Sequence, residues 1–169
     1  FWRLNGQLAE MQQNDEQAIN AFQRLIDADK AELGDYDALI RLLNTTRPLQ
    51  AARLAGLAWD RFDEPRHLLQ ALNLYAAENH WTEIGRLLKE LDPAPDAARH
   101  ALHRLQSQPD FLRLVGTYQQ HTGQLRLARQ NFKTALRLSP ASADLQQALI
   151  WLLIDSNNAA ALRKLLASN

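Results

Sequence analysis

An all-helical, right-handed stack of antiparallel helix pairs is the fold class this sequence predicts, on three observations. Apolar and small residues recur at helical spacing inside a unit of about 34 residues. Leucine, alanine, glutamine and arginine, all good helix formers, fill the stretches between six prolines and six glycines that mostly fall where helices would be separated. Each helix pair carries apolar residues on more than one side, which a lone pair cannot bury and a stack can.

The passage from Pro109 to Pro140 states the unit most fully. Leu112, Val115 and Gly116 make one apolar and small face, and Gly123 then breaks the chain. Leu125, Ala128, Phe132, Ala135 and Leu136 make a second face that Pro140 closes. The spacing predicts helices over about 110–121 and 124–138. Gly116 and Ala128 let the two helices approach closely, and Phe132 fills the seam between them.

This pattern resembles the tetratricopeptide repeat of 34 residues. With Pro109 as position 1, the family's small residues at 8 and 20 fall on Gly116 and Ala128, and its turn glycine at 15 on Gly123. The aromatic at 24 falls on Phe132, the alanine at 27 on Ala135 and the proline at 32 on Pro140. Position 11 departs, being Gln119 with the expected tyrosine one place early as Tyr118. The next unit follows from Ala143, with Leu149, Ile150 and Leu153 supplying its packing face, Asn157 its turn, and Leu162 and Leu166 its second helix. An earlier unit matches through Trp2, Gly6, Ala18, Phe22 and Leu25, with Lys30 in place of the closing proline. Weaker units start near Leu33, on Tyr36, Leu39, Leu43 and Ala52, and at Pro65, on Leu68, Ala71, Leu72, Tyr75, Asn79, Ile84, Leu88 and Leu91.

The expected organisation is therefore one repeat array over 1–169, with units at about 1–32, 33–64, 65–94, 109–142 and 143–169. The surplus between the third and fourth units predicts an additional short helix over 95–107, with Ala97, Ala101, Leu102 and Leu105 on one face. Phe1 and Trp2 at one end and the apolar run 148–154 at the other look uncapped, so a piece of a longer array is expected. That run is far shorter than the roughly 20 residues a helix needs to cross a bilayer. Membrane association is expected only through parts outside this sequence.

Chemistry finds little to work with. Cysteine is absent, which excludes disulfides, zinc–thiolate sites and thiol nucleophiles. Asp96, His100 and His103 are the nearest approach to a metal clip, but Arg99 and Arg104 beside them repel a cation, and no metal or cofactor is expected. Ser107, Ser139, Ser142, Ser156 and Ser168 stand where serines cap or turn, and no glycine-rich phosphate loop occurs. The chain is expected not to be an enzyme. Nineteen basic residues balance nineteen acidic ones, which argues against a nucleic-acid partner. The signs are segregated, however. Residues 1–37 hold eight acids against Arg3, Arg24 and Lys30, whereas 99–137 hold seven bases against Asp110 alone. Complementarity to another surface, or the solvated faces of different repeats, would account for this. Arg126, Arg129, Lys133 and Arg137, spaced three, four and four apart, form a basic flank on one side of a helix.

The opening stretch WRLNGQLAEMQQNDEQAINAFQRLI and the closing ALIWLLIDSNNAAALRKLLA also resemble the periplasmic repeat arrays of bacterial exopolysaccharide export proteins, the Pel type in particular. That resemblance implies a periplasmic scaffold within an outer-membrane protein. It would bind a protein partner, a polysaccharide deacetylase–hydrolase, with transient polymer contact; the alternatives are a general adapter in another bacterial complex and a direct polysaccharide-binding module, for which Trp151, Trp81 and the tyrosines are the obvious platforms. The tetratricopeptide resemblance implies that partners are held by positions 2, 5, 9, 12 and 13 of the first helices. Here these give Arg3, Gln7, Asp37, Arg41, Asn73, Arg113, Thr117, Gln120, His121, Gln147 and Trp151.

Overall fold

Local signals set where each helix starts. Pro48, Pro65 and Pro109 stand in the first turn of their helices, where a missing N–H costs nothing. Asn14 accepts from the Gln17 N–H, Ser142 from the Leu145 N–H, and Glu32 and Asp35 close a capping box. In this computed structural model, which describes residues 1–91 and 103–156, the resulting helices are α1 (Trp2–Met11), α2 (Asp15–Asp27), α3 (Leu33–Leu43), α4 (Pro48–Phe62), α5 (Pro65–Ala77), α6 (Trp81–Glu90), α7 (Pro109–His121), α8 (Leu125–Leu138) and α9 (Ala143–Asp155). No strand occurs among the described residues.

The turns repeat as regularly as the helices. Gln13, Asn79 and Gly123 each take a left-handed backbone, with φ of 58°, 59° and 77°, between α1 and α2, α5 and α6, and α7 and α8. Asp29 and Asp63 do the same between α2 and α3 and between α4 and α5. Only the last of the three turn positions carries the glycine that this conformation favours. The α3–α4 turn differs, running through Arg47 at φ −141° and ψ 62° into Pro48.

Two compact units result, Phe1–Glu83 and Ile84–Asn169. In the first, α1 packs on α2, α2 on α3, α3 on α4 and α4 on α5. Phe22, Leu39, Ile40, Leu43, Leu68 and Leu72 are fully buried there. In the second, α7 packs on α8 and α8 on α9, with α7 also touching α9. Phe132 and Ala128 are wholly buried, as the repeat spacing requires. The Phe132 ring lies so close over Gly116 that a Cβ there would stand 2.7 Å from its Cε1. Phe22 covers Gly6 in the same way. The displaced Tyr118 has its own explanation, for its hydroxyl fills the space that Gly85 leaves open on α6.

One expectation is corrected. Leu149, Leu152 and Leu153 form the buried face of α9, and Ile150 is only half-buried. The apolar run is continuous, so periodicity cannot fix its phase; packing against Ala128 and Phe132 does. Residues 103–106 are helical and Leu105 is fully buried. The remainder of the expected helix over 95–107, with Asp96 and His100, lies outside the described residues, as do Asn157, Leu162 and Leu166.

Candidate binding faces

In the first unit the charged residues are tied to one another across successive repeats. Arg41 bridges Glu10, Arg47 bridges Glu16 at 2.6 Å, Arg61 bridges Asp29, and Arg66 bridges Asp37 at 2.8 Å. The partners lie 31, 31, 32 and 29 residues apart, so an acid of one repeat meets an arginine at the corresponding place in the next. The acid-rich segment is thus balanced internally by the repeat that follows it. The hydrogen bond that Arg61 donates to the Asp29 carboxylate raises the guanidinium's pKa, outweighing the opposing effect of desolvation.

Arg3 reverses the order of signs. Its Nε and Nη2 donate to the Asp35 carboxylate at 2.9 and 2.8 Å, and Nη1 lies 2.9 Å from Glu32. Asp35 is only 3% exposed and also accepts from the Glu32 N–H at 2.8 Å. Burial alone would raise its carboxyl, but the bonds from Arg3 and Glu32 and the guanidinium charge together hold it below the ordinary aspartate value. A carboxylate with a depressed folded pKa adds stability that is present above its unfolded value of about 3.9 and is lost as pH falls through the folded one. Asp35→Asn is therefore expected to lower the thermal midpoint at neutral pH and to flatten its decline as pH falls below about 4. Melting curves recorded across that range check this, and parallel declines for the two proteins would show that Asp35 is not the titrating group.

Asp37 is similarly engaged, since its other oxygen lies 2.7 Å from Nε2 of His67. His67 is completely buried, and its Nδ1 has no partner among the described residues. Of the remaining candidates in this unit, Gln7 and Asn73 are exposed, the latter donating to the Leu69 carbonyl at 3.1 Å. The candidate residues of the first unit thus form a row whose charges are already paired.

The second unit presents a different face. Trp151 is 56% exposed on α9 although Leu152 and Leu153 beside it are buried. Gln120 on α7 donates to Asp155 on α9 at 2.9 Å, which brings Thr117, Gln120 and His121 alongside the Trp151 helix. Arg113 and Thr117 are half-buried, the Thr117 hydroxyl donating to the Arg113 carbonyl at 2.9 Å, and Gln147 is exposed. On α8, Arg126, Lys133 and Arg137 are exposed and Arg129 is half-buried. Together with Leu136, Pro140 and Leu149 they line a groove of about 900 Å³. Among the described residues no group of three or more histidines or carboxylates is placed to hold a metal, and no helix is long and apolar enough to cross a membrane.

Paired helices with a small residue under each seam phenylalanine, left-handed turns at one repeated position, and polar rows on the first helices define a helical-repeat protein-interaction scaffold. The tetratricopeptide repeat family matches residues 1–168, and the chain belongs to it. None of the curated proteins matches in sequence. Among solved structures the chain is similar to MamA from Desulfovibrio magneticus RS-1, at 13% identity and a TM-score of 0.72, covering 99% of this chain and 90% of that one. It is also similar to MamA of AMB-1, at 14% identity and a TM-score of 0.71 over 98% of this chain and 86% of that one. A third, MamA of MSR-1, gives 14% and 0.68 over 97% and 90%. At such identities the likeness is one of fold.

Proposed function

We propose that this chain is a periplasmic protein-binding scaffold of a Pel-type exopolysaccharide export apparatus, forming part of an outer-membrane protein such as PelB. It recruits a polymer-modifying enzyme, a deacetylase–hydrolase, to the secretion pore, and polymer passing towards the pore touches it transiently. Membership of the tetratricopeptide family supports the scaffold role. The resemblance of the two terminal stretches to export-protein arrays supports the setting. The observation that carries the recognition surface is Trp151, a large aromatic left more than half exposed on a helix whose neighbouring leucines are buried. A tryptophan so placed can lose its remaining water against a partner and anchor it. A general adapter in another bacterial complex is the second reading, favoured by the similarity of fold to MamA.

Calorimetric titration of the chain with the deacetylase–hydrolase of its own export system is the test, with circular dichroism to monitor folding. Trp151→Ala is expected to weaken binding by about 2 kcal/mol, roughly thirtyfold, with helicity intact. Arg113→Glu should also weaken it. Wild-type affinity in both variants would remove this face from recognition. Tight binding of an oligosaccharide that Trp151→Ala abolishes would turn the face into a carbohydrate site.

A further inference from the structure

Position by position in the repeat, α1 differs from the first helices that follow it. At position 3, Asp35, His67 and Phe111 are buried, whereas Phe1 is 85% exposed. At position 4, Tyr36, Leu68 and Leu112 are buried, but Trp2 is 37% exposed. Positions 6 and 10 repeat the contrast, with Leu4 70% and Leu8 52% exposed. Their counterparts on α3 and α5, namely Ala38, Leu42, Gln70 and Leu74, are half-buried. On α7, Leu114 is buried and Tyr118 half-buried. Four apolar side chains at the start of the chain thus stand in water at the positions where later helices are covered.

What covers those positions elsewhere is the preceding helix pair. In the first unit α3 packs on α2, and α5 on α4. At position 3, Asp35 meets Arg3 on α1 and the ring of His67 meets Asp37 on α3, so that place faces the preceding first helix. At position 10, the Tyr118 hydroxyl lies over Gly85 on α6, the preceding second helix. The row on α1 therefore has the register of a joint between repeats. Its chemistry differs from that of the joints after it. Phe1 stands where Asp35 and His67 each meet a charged side chain. Gln7, Gln13 and Asp27 stand where Arg41, Arg47 and Arg61 reach back to the acids of the repeat before. None of those three positions offers a base.

We propose that this face receives one further helix pair of the same type, standing before Phe1 in the same polypeptide, and that apolar contact alone holds the joint. The second helix of that pair lies against Leu8, as α6 lies against Tyr118, and its first helix brings an uncharged side chain to Phe1. The inference rests on the repeat family, and not on the export system or on Trp151. The test places Leu4→Asp together with Leu8→Asp in two settings, the chain as it stands and the intact protein. In the chain both side chains are already exposed, so the melting curve is expected to match that of the wild type. In the intact protein the two carboxylates are expected to open the joint, so that limited proteolysis just before Phe1 quickens roughly tenfold. Raising salt to about 1 M should leave cleavage of the unsubstituted protein unchanged, because no ion pair is there to screen. An intact protein with no helix pair before Phe1 overturns the proposal, and so does wild-type cleavage in the substituted one. A joint that salt loosens is not held by apolar contact alone, and it too counts against the proposal. A dimer of the chain, seen by sedimentation and lost on substitution, would make a second copy the occupant instead. Because neither α9 nor a polysaccharide enzyme is probed, failure here leaves the proposed role of Trp151 standing.

Discussion

Phe132→Ala is expected to cost about 3–5 kcal/mol, seen as a lowered thermal midpoint of the chain. The cost of such a truncation depends on whether the neighbourhood can collapse into the space. Here it cannot readily do so, because the ring is enclosed by Ala128, Leu149, Leu152 and Leu153 and rests on the Gly116 backbone. One of its walls is the α7 backbone at Gly116, which cannot move inward without shifting α7 against α8 and α9. The cavity therefore stays largely open, and the loss lies towards the larger end for an aromatic residue. A melt superimposable on that of the wild type would show that the seam is not packed as described.

Gly116→Leu is expected to destabilise as well, against local preference. Leucine is a better helix former than glycine by about 1 kcal/mol, so helix propensity alone predicts a gain. Sterics reverse the sign, because the first atom of any side chain would lie 2.7–3.1 Å from the Phe132 ring. Overpacking a dense seam typically costs about 1–3 kcal/mol, and here the atoms in the way belong to a wholly buried ring. In the background of Phe132→Ala the same leucine should be partly accommodated, so the two costs should fall short of additive by about 0.5–3 kcal/mol. Gly34, with nothing within 4 Å of an added Cβ, is the control, and alanine there should be neutral or mildly stabilising. Additive losses at positions 116 and 132 would mean that the two residues do not meet.

These seams are where the sequence was most legible. A small residue eight positions into a unit and an aromatic sixteen later can be read directly, because that spacing places one across from the other in a helix pair. Other features are not written at helical spacing. Ile150 and Leu152 exchange roles because α9 is apolar all round and only its neighbours set its phase. Buried Asp35 and His67 look like surface residues in the sequence, since their partners lie about 30 residues away. The segregation of charge was visible, but its cause was not. The acid excess of residues 1–37 arises because the acids of one repeat meet the arginines of the next, and composition counts the two separately. At the candidate face, Trp151 could be placed by position in the repeat, whereas its exposure could not be separated from burial within so apolar a run.

The acid-to-arginine bridges of the first unit have a consequence beyond their small energy. Exposed pairs of this kind contribute at most about 1 kcal/mol each. A chain of similar helix pairs nevertheless faces a particular hazard, because any repeat offers roughly the same apolar faces to any other. A wrong neighbour would bury those faces almost as well as the right one. It would not, however, bring arginines to Glu10, Glu16, Asp29 and Asp37 together. The bridges act like page numbers, adding little to the binding of the volume while ensuring that its leaves are gathered in order.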